Sequence, residues 1–230
     1  MNDSPADSQA TDAQAKRLAD EKLGISTGRA FERLITLSDA IVAVAITLNV
    51  LAIVQIRPSQ GESALSVINE YSGELSSFAY TFVIVAVMWL AHNRILNRMR
   101  GYDAAFFWLN LFWLLLVVIL PWPTAMFGES IGVEDSQGSG FVPGMGMFYW
   151  FTLAAISGIG ALMGLRCRRH PQLLEHPETA MSIDGQVRAW AFTASFIFIG
   201  VVSLFSPSIA NYLPLGLIVV AVVLRKAKSN

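Results

Sequence analysis

Ser38, Asp39 and His92 are the residues with chemistry to consider first, because all three lie in apolar stretches of the sequence. A hydrolase would need its carboxylate behind the histidine and away from the serine. Ser38 and Asp39 are sequence neighbours, about 100° apart on a helix, so the spacing disfavours catalysis and we expect no enzyme. Asp39 and His92 can both titrate, and such pairs relay protons inside membranes. A proton-coupled or other secondary transporter that uses these two residues is therefore one alternative.

Composition disfavours metal chemistry and nucleic-acid binding. The three histidines and the single cysteine, Cys167, show no metal-ligand spacing, and the formal net charge is only -1. Hydrophobic residues make up 54% of the chain and charged residues 14%, whereas soluble domains carry about 25% charged residues. We therefore expect a membrane protein with no cofactor and no nucleic-acid partner.

Six stretches are long and apolar enough to cross a membrane, since a span needs about 17 to 25 mostly apolar residues. They cover residues 34–56, 75–96, 104–127, 146–165, 188–206 and 208–225. Pro121 and Pro123 predict a break or kink where the third span ends. Residues 1–28 are polar and are expected to form a loose cytosolic tail, which leaves a six-helix, all-α membrane domain over 29–230. The sequence shows no internal repeat, so an inverted-repeat transporter has no support.

The cations of the chain indicate its orientation. Five precede or begin the first span, three lie at or just after the end of the second, four lie between the fourth span and the start of the fifth, and three end the chain. Together they are 15 of the 16 Lys and Arg residues. The other side of the membrane would hold Arg57 and six acids: Glu62, Glu70, Glu74, Glu129, Glu134 and Asp135. Positively charged loops stay in the cytoplasm, so we expect a multi-pass protein of the cell (inner) membrane with both termini cytoplasmic.

Polar residues on the first three spans lie at similar depths near the cytosolic side. Asp39 lies six residues beyond Arg33, which is about 9 Å along a helix, and His92 comes two residues before Arg94. Asp103 is the expected N-cap of the third span. The residues that share this depth are Ser38, Asp39, Trp89, His92 and Asn110. Since polar groups in lipid need partners, we expect an interhelical hydrogen-bond network, while Arg33 pairs with a carboxylate or extends to the headgroups.

The other side of the first span carries an apolar stripe. At about 100° per residue, Val44, Leu48 and Leu51 fall on one face with Thr47 beside them, and Asp39 points about 140° away from Val44. By pattern alone, such a stripe faces lipid or packs in the core.

Four short motifs in this order resemble those of the transmembrane protein 175 family, the potassium channels of lysosomes and endosomes and their prokaryotic relatives. They are RLITLSD at 33–39, WLAH at 89–92, LN at 109–110 and PWPT at 121–124. Leu37 stands where the family motif has Phe. The length and the single unit of helices resemble the prokaryotic branch.

The resemblance implies a homotetramer in the lipid bilayer, with the first helix of each subunit around a central pore. It implies a hydrophobic constriction that passes potassium and other monovalent cations, gated by side chains and without a carbonyl filter. The pore-facing positions would be Val44, Thr47, Leu48 and Leu51, and Val44 is smaller than the Leu or Ile expected there. The supporting network would consist of Arg33, Ser38, Asp39, Trp89, His92 and Asn110.

Overall fold

Helices make up nearly all of the regular structure in the computed structural model, which describes residues 14–15, 18–58, 60–131 and 144–205. The helices that we number are α1 (Arg29–Leu48), α2 (Leu51–Val54), α3 (Ala64–Glu70), α4 (Ser72–Leu96), α5 (Ala104–Ile119), α6 (Pro121–Ile131), α7 (Met145–Arg169) and α8 (Ile183–Phe205). Two short strands, β1 (Ser26–Thr27) and β2 (Gly101–Tyr102), pair antiparallel, and two 3-10 turns cover Pro171–Leu173 and Pro177–Thr179.

Four of these helical segments are long and apolar enough to cross a membrane: α4, the combined stretch Ala104–Gly128, α7 and α8. They match the second to fifth predicted spans. The first predicted span overlaps α1. This helix does not meet the same measure, because Glu32, Arg33 and Asp39 all lie within its 20 residues. The sixth predicted span, 208–225, lies outside the described residues.

Helix α1 has one buried face with helical periodicity. Its buried residues recur every three or four positions, and they are Phe31, Leu34, Ser38, Val42 and Ala45. This face packs mainly against α5 and also against α4. The helix stops at Asn49 and resumes as α2, so the continuous span predicted over 34–56 is interrupted before its end.

The third span is capped and interrupted by identifiable residues. The Asp103 carboxylate accepts a hydrogen bond of 2.8 Å from the Phe106 backbone N–H, which makes it the expected N-cap. The interruption comes at Leu120, one residue before the PWPT motif. Proline has no N–H to donate but suits the first position of a helix, so the chain resumes at once as α6 from Pro121.

Two segments outside the predicted spans, residues 57–74 and the tail, contain more structure than we expected. Residues 57–74 include the helix α3, whose N-cap Ser63 accepts a hydrogen bond from the Ser66 N–H. In the tail, Asp20 forms a two-pronged ion pair with Arg100, with distances of 2.6 and 3.0 Å. This part of residues 1–28 is therefore folded onto the loop after α4 rather than loose.

The second half of the protein is held by aromatic packing between α6, α7 and α8. The rings of Phe127 and Tyr149 stack with centroids 4.5 Å apart, and Trp150 lies close to both Tyr149 and Phe196. Gly200 on α8 allows this helix to approach α7, since a Cβ atom at position 200 would lie 2.8 Å from the ring of Phe151 on α7. The close approach of α7 and α8 is thus set by a small residue, as is common between membrane helices.

Candidate functional site

A continuous chain of hydrogen bonds joins α4, α5 and α1. The His92 ring nitrogen Nε2 lies 2.8 Å from the Asn110 Oδ1, and the Asn110 Nδ2 donates to the Ser38 Oγ at 3.0 Å. The Ser38 hydroxyl in turn donates to the Leu34 backbone carbonyl at 2.8 Å. All three polar side chains are buried, so each needs the partner that it has.

The directions of these bonds fix the roles of their groups. Because the Asn110 amide nitrogen is used as the donor to Ser38, its carbonyl oxygen must accept from His92, which then carries its proton on Nε2. The His92 Nδ1 is buried and has no hydrogen-bond partner among the described residues. The imidazole stacks on the Trp113 indole with centroids 4.1 Å apart and planes within 10°. This environment holds the ring in one orientation.

Asp39 belongs to a separate contact. Its Oδ1 accepts a hydrogen bond of 2.9 Å from the Trp89 indole Nε1, and both side chains are partly buried. An indole N–H is a donor only, so Trp89 cannot pass a proton onward to His92. Among the described side chains, no hydrogen-bonded path connects Asp39 with His92.

Arg33 does not join either contact. Its side chain is exposed on α1, and within the described part of the protomer it has no hydrogen bond or ion pair. Of the six residues predicted for the network, the structure therefore brings five into two hydrogen-bonded groups and leaves Arg33 outside.

The predicted pore-facing residues are all exposed in the protomer. Val44, Leu48 and Leu51 have 57%, 37% and 51% of their surface accessible, and Thr47 is exposed beside them. The Thr47 hydroxyl donates to the Val44 carbonyl at 2.7 Å, so it is already satisfied within its own helix. On α1, this exposed face and the buried face that carries Ser38 lie on different sides of the helix.

A cavity of about 370 Å³ adjoins this face near the first turn of α4, which carries Glu74. Its walls include Leu48, Leu51 and Glu74, and one carboxylate oxygen of Glu74 is buried without a hydrogen-bond partner among the described residues. Nearby, a hydrogen bond with Glu62 raises the pKa of Glu70, and the negative charges of Glu62 and Glu74 add to the effect. Crowded carboxylates therefore stand beside the end of the apolar stripe.

Sequence reasoning missed two groups that support the site. Trp113 follows Asn110 by three positions and so shares its face of α5, which is the signal that could have identified it. The Thr81 and Tyr149 hydroxyls, both fully buried, lie 2.8 Å apart and join α4 to α7. Their 68-residue separation in sequence gave no signal of this contact.

A family model matches the part of the chain that contains the predicted site residues. The model of the family described as "Endosomal/lysosomal potassium channel TMEM175" matches residues 33–121, a segment that contains every predicted site residue. Over this segment, the chain is similar to the TMEM175 family. Together with the four apolar helices, this likeness indicates a multi-pass membrane protein.

Two potassium channels of other organisms show how far the sequence likeness extends. A potassium channel of Streptomyces collinus is 31% identical over 93 residues, which are 40% of this chain and 45% of that protein. A potassium channel of Chamaesiphon minutus is 39% identical over 103 residues, which are 42% of this chain and 49% of that protein. The chain thus spans a little under half the length of these relatives.

The fold agrees with a solved structure from the TMEM175 family. The crystal structure of a lysosomal potassium-selective channel TMEM175 homolog from Chamaesiphon minutus superposes with a TM-score of 0.63 at 22% identity. The match covers 88% of this chain and 100% of that one. At this level of identity, the likeness concerns the fold.

Proposed function

We propose that this protein is a potassium-permeable ion channel, in which α1 from each of four subunits surrounds a central pore. The observation that carries the proposal is the exposed face of α1. Val44 and Leu48 project from this face, and Leu51 is exposed just beyond it at the start of α2. The buried face of α1 is anchored to α4 and α5. Because this helix buries only one of its sides, its exposed side is free to contact other copies of the same helix.

A ring of apolar side chains suits a hydrophobic gate. Four copies of Val44 or Leu48 would form a neck that excludes water when narrow and conducts when wide, because wetting controls permeation at such constrictions. The backbone carbonyls of α1 accept bonds within the helix, and the Thr47 hydroxyl is bound to the Val44 carbonyl. Side chains, and not carbonyl oxygens, would therefore set the neck.

The hydrogen-bonded residues would act as supports for that pore and not as ligands in it. Asn110 ties Ser38 of α1 to His92 of α4 across α5, and Trp89 holds Asp39. Each contact involves the face of α1 that turns away from Val44. Because side-chain hydrogen bonds in apolar surroundings fix the position of a helix, they would keep the four copies of α1 in register around the axis.

The alternative of a proton-coupled transporter gains nothing from this geometry. It would require Asp39 and His92 to exchange protons, yet they belong to separate groups in the described structure and Trp89 offers no relay. The channel proposal needs no such exchange.

The proposed orientation has both termini in the cytoplasm of the cell membrane. The residues of the tail and of the loops after α4 and α7 meet at one end, where Arg100 pairs with Asp20 and donates to the Gln172 carbonyl. Three of the predicted cytosolic segments are thus in mutual contact. Glu74 lies in the first turn of α4, at its other end, and Glu62 and Glu70 precede that helix.

The channel proposal is tested by flux in liposomes. We expect purified protein in potassium-loaded vesicles to drive proton uptake when a protonophore is added, since outward potassium current must be balanced. The flux should require no gradient of a counter-substrate, whereas a carrier would need one. Vesicles that stay silent in several lipid compositions, although the protein is folded and inserted, would contradict the proposal.

A further inference from the structure

A second cavity, of about 210 Å³, lies near the end of α4 that carries Arg94 and Arg98. It is enclosed by the last turns of α4, the end of α7 and the segment that follows α7. Most of its wall is apolar, with Ala91, Ile95 and Met181 among its lining residues, and two charged residues, Arg94 and Arg98, complete it. Among the described residues, no aspartate or glutamate lines this cavity.

The two arginines of the cavity lack counter-charges. Arg94 has no hydrogen bond or ion pair within the described part of the chain, and the Arg98 Nη1 donates only to the Thr179 carbonyl, at 3.3 Å. They are four residues apart on α4, where two like charges repel each other. Arg100 and Arg166, by contrast, are both paired with a carboxylate at 2.6 Å. Two adjacent, uncompensated guanidinium groups at a cavity favour an anionic occupant.

The apolar part of the cavity adjoins an exposed apolar surface of α4. Ala91 is exposed and lines the cavity, and Val87, one turn earlier, has 51% of its surface accessible. Val87, Ala91, Arg94 and Arg98 therefore form one stripe that is apolar in the membrane and cationic at its end. The volume is below the roughly 300 to 1,000 Å³ of sites that enclose a whole small molecule. A headgroup whose chains lie outside the cavity fits both facts.

We propose that this cavity binds the phosphate of an anionic membrane phospholipid. Arg94 and Arg98 would donate to the phosphate oxygens, for which the planar guanidinium provides parallel N–H groups. The acyl chains would lie along Ala91 and Val87. Basic pockets between membrane helices near the surface recognise anionic headgroups in this way. Glu178, the acid next to Thr179 in sequence, is directed to His176 at 3.4 Å and does not line the cavity.

Native mass spectrometry of the full chain tests the site without reference to channel activity. The protein is equilibrated in mild detergent with equal amounts of phosphatidylglycerol and phosphatidylcholine, and the retained lipids are counted. We expect retention of phosphatidylglycerol to fall about tenfold in the double variant Arg94→Gln, Arg98→Gln. The matched control, Arg168→Gln with Arg169→Gln, removes two charges from the same end of the bundle and should retain the lipid.

Two further measurements, one with a variant and one with a competing anion, distinguish a lipid site from simple charge attraction. Ala91→Trp keeps both arginines but fills the apolar entrance, and it should reduce retention of phosphatidylglycerol as much as the double variant. Inorganic phosphate in millimolar excess should not displace the lipid. The proposal is overturned if the double variant or Ala91→Trp retains phosphatidylglycerol at the wild-type level, if the control loses it equally, or if inorganic phosphate displaces it.

Discussion

Asn110 is the residue through which three helices are connected. It lies on α5, accepts a hydrogen bond from His92 on α4 and donates one to Ser38 on α1. Nothing else in the described structure bonds to the His92 ring nitrogens. Removal of the Asn110 amide would therefore leave the His92 N–H buried without an acceptor and deprive the Ser38 oxygen of its donor.

Asn110→Ala should destabilise the protein. A buried polar group without a partner costs about 1 to 3 kcal/mol, so we expect a loss in that range in the free energy of unfolding, measured by tryptophan fluorescence in mixed micelles of increasing dodecyl sulfate content. Asn97→Ala is the matched control, because Asn97 is exposed at the end of α4. Equal effects of the two substitutions would show that Asn110 does not hold the helices together.

The sequence revealed part of this arrangement at the level of residues. The similar depths of Ser38, His92 and Asn110 could be derived from helical rise and from the flanking charges. The division into two groups could not, because it depends on which way each side chain turns in the packed bundle. Arg33 shows the same limit, since its place in a motif did not tell whether it has a partner within the protomer.

At the level of elements, the start of α5 depends on Asp103. Its carboxylate caps the helix through the Phe106 N–H and forms an ion pair of 2.6 Å with Arg166 on α7. Burial raises the pKa of Asp103, but the hydrogen bonds from Arg166 and Phe106 and the charge of Arg166 outweigh it and hold the pKa below its usual value. The carboxylate therefore stabilises the folded protein in its ionised form.

Asp103→Ala should lower stability in a pH-dependent way. Loss of an N-cap costs about 0.5 to 2 kcal/mol, and we expect a loss in that range at neutral pH. A carboxyl group with a lowered folded pKa contributes above its unfolded pKa and loses the contribution as pH falls through the folded value. The difference between wild type and variant should thus shrink in acid below about pH 4.

The comparison residue for this experiment is Asp184, which lies exposed in the first turn of α8. Asp184→Ala should change the unfolding free energy little, because within the described residues its side chain has no ion pair. A difference between wild type and Asp103→Ala that stays constant with pH would contradict the role of the ionised carboxylate.

Element boundaries were predictable where local chemistry decides them. Asp103 as an N-cap and Pro121 as a point of interruption follow from their types alone. The pairing of residues 26–27 with 101–102 was not predictable, because it joins distant segments. Gly101 permits this contact, since a Cβ atom there would lie 2.6 Å from the Ser26 carbonyl oxygen. Such a close approach depends on the tertiary structure and has no signature in a single glycine.

At the level of the whole molecule, the exposed face of α1 is the feature that a single chain leaves unexplained. Periodicity placed Val44, Leu48 and Leu51 on one stripe, and the structure leaves all three accessible. Whether such a stripe meets lipid, core or other subunits cannot follow from the pattern of one helix, because each environment is apolar. The proposed assembly into four copies around a pore is thus the part of the account that rests on the resemblance to the TMEM175 family.

Substitution of Val44 by serine tests the pore most directly. A hydroxyl group in a hydrophobic neck favours its wetting, so Val44→Ser should raise potassium flux into or out of liposomes by about three- to tenfold. The matched control is Val83→Ser on α4, where the valine is similarly exposed, at 53% against 57%. The account predicts faster flux for Val44→Ser and wild-type flux for Val83→Ser. Unchanged flux in Val44→Ser, or equal changes in both variants, would contradict a pore lined by α1.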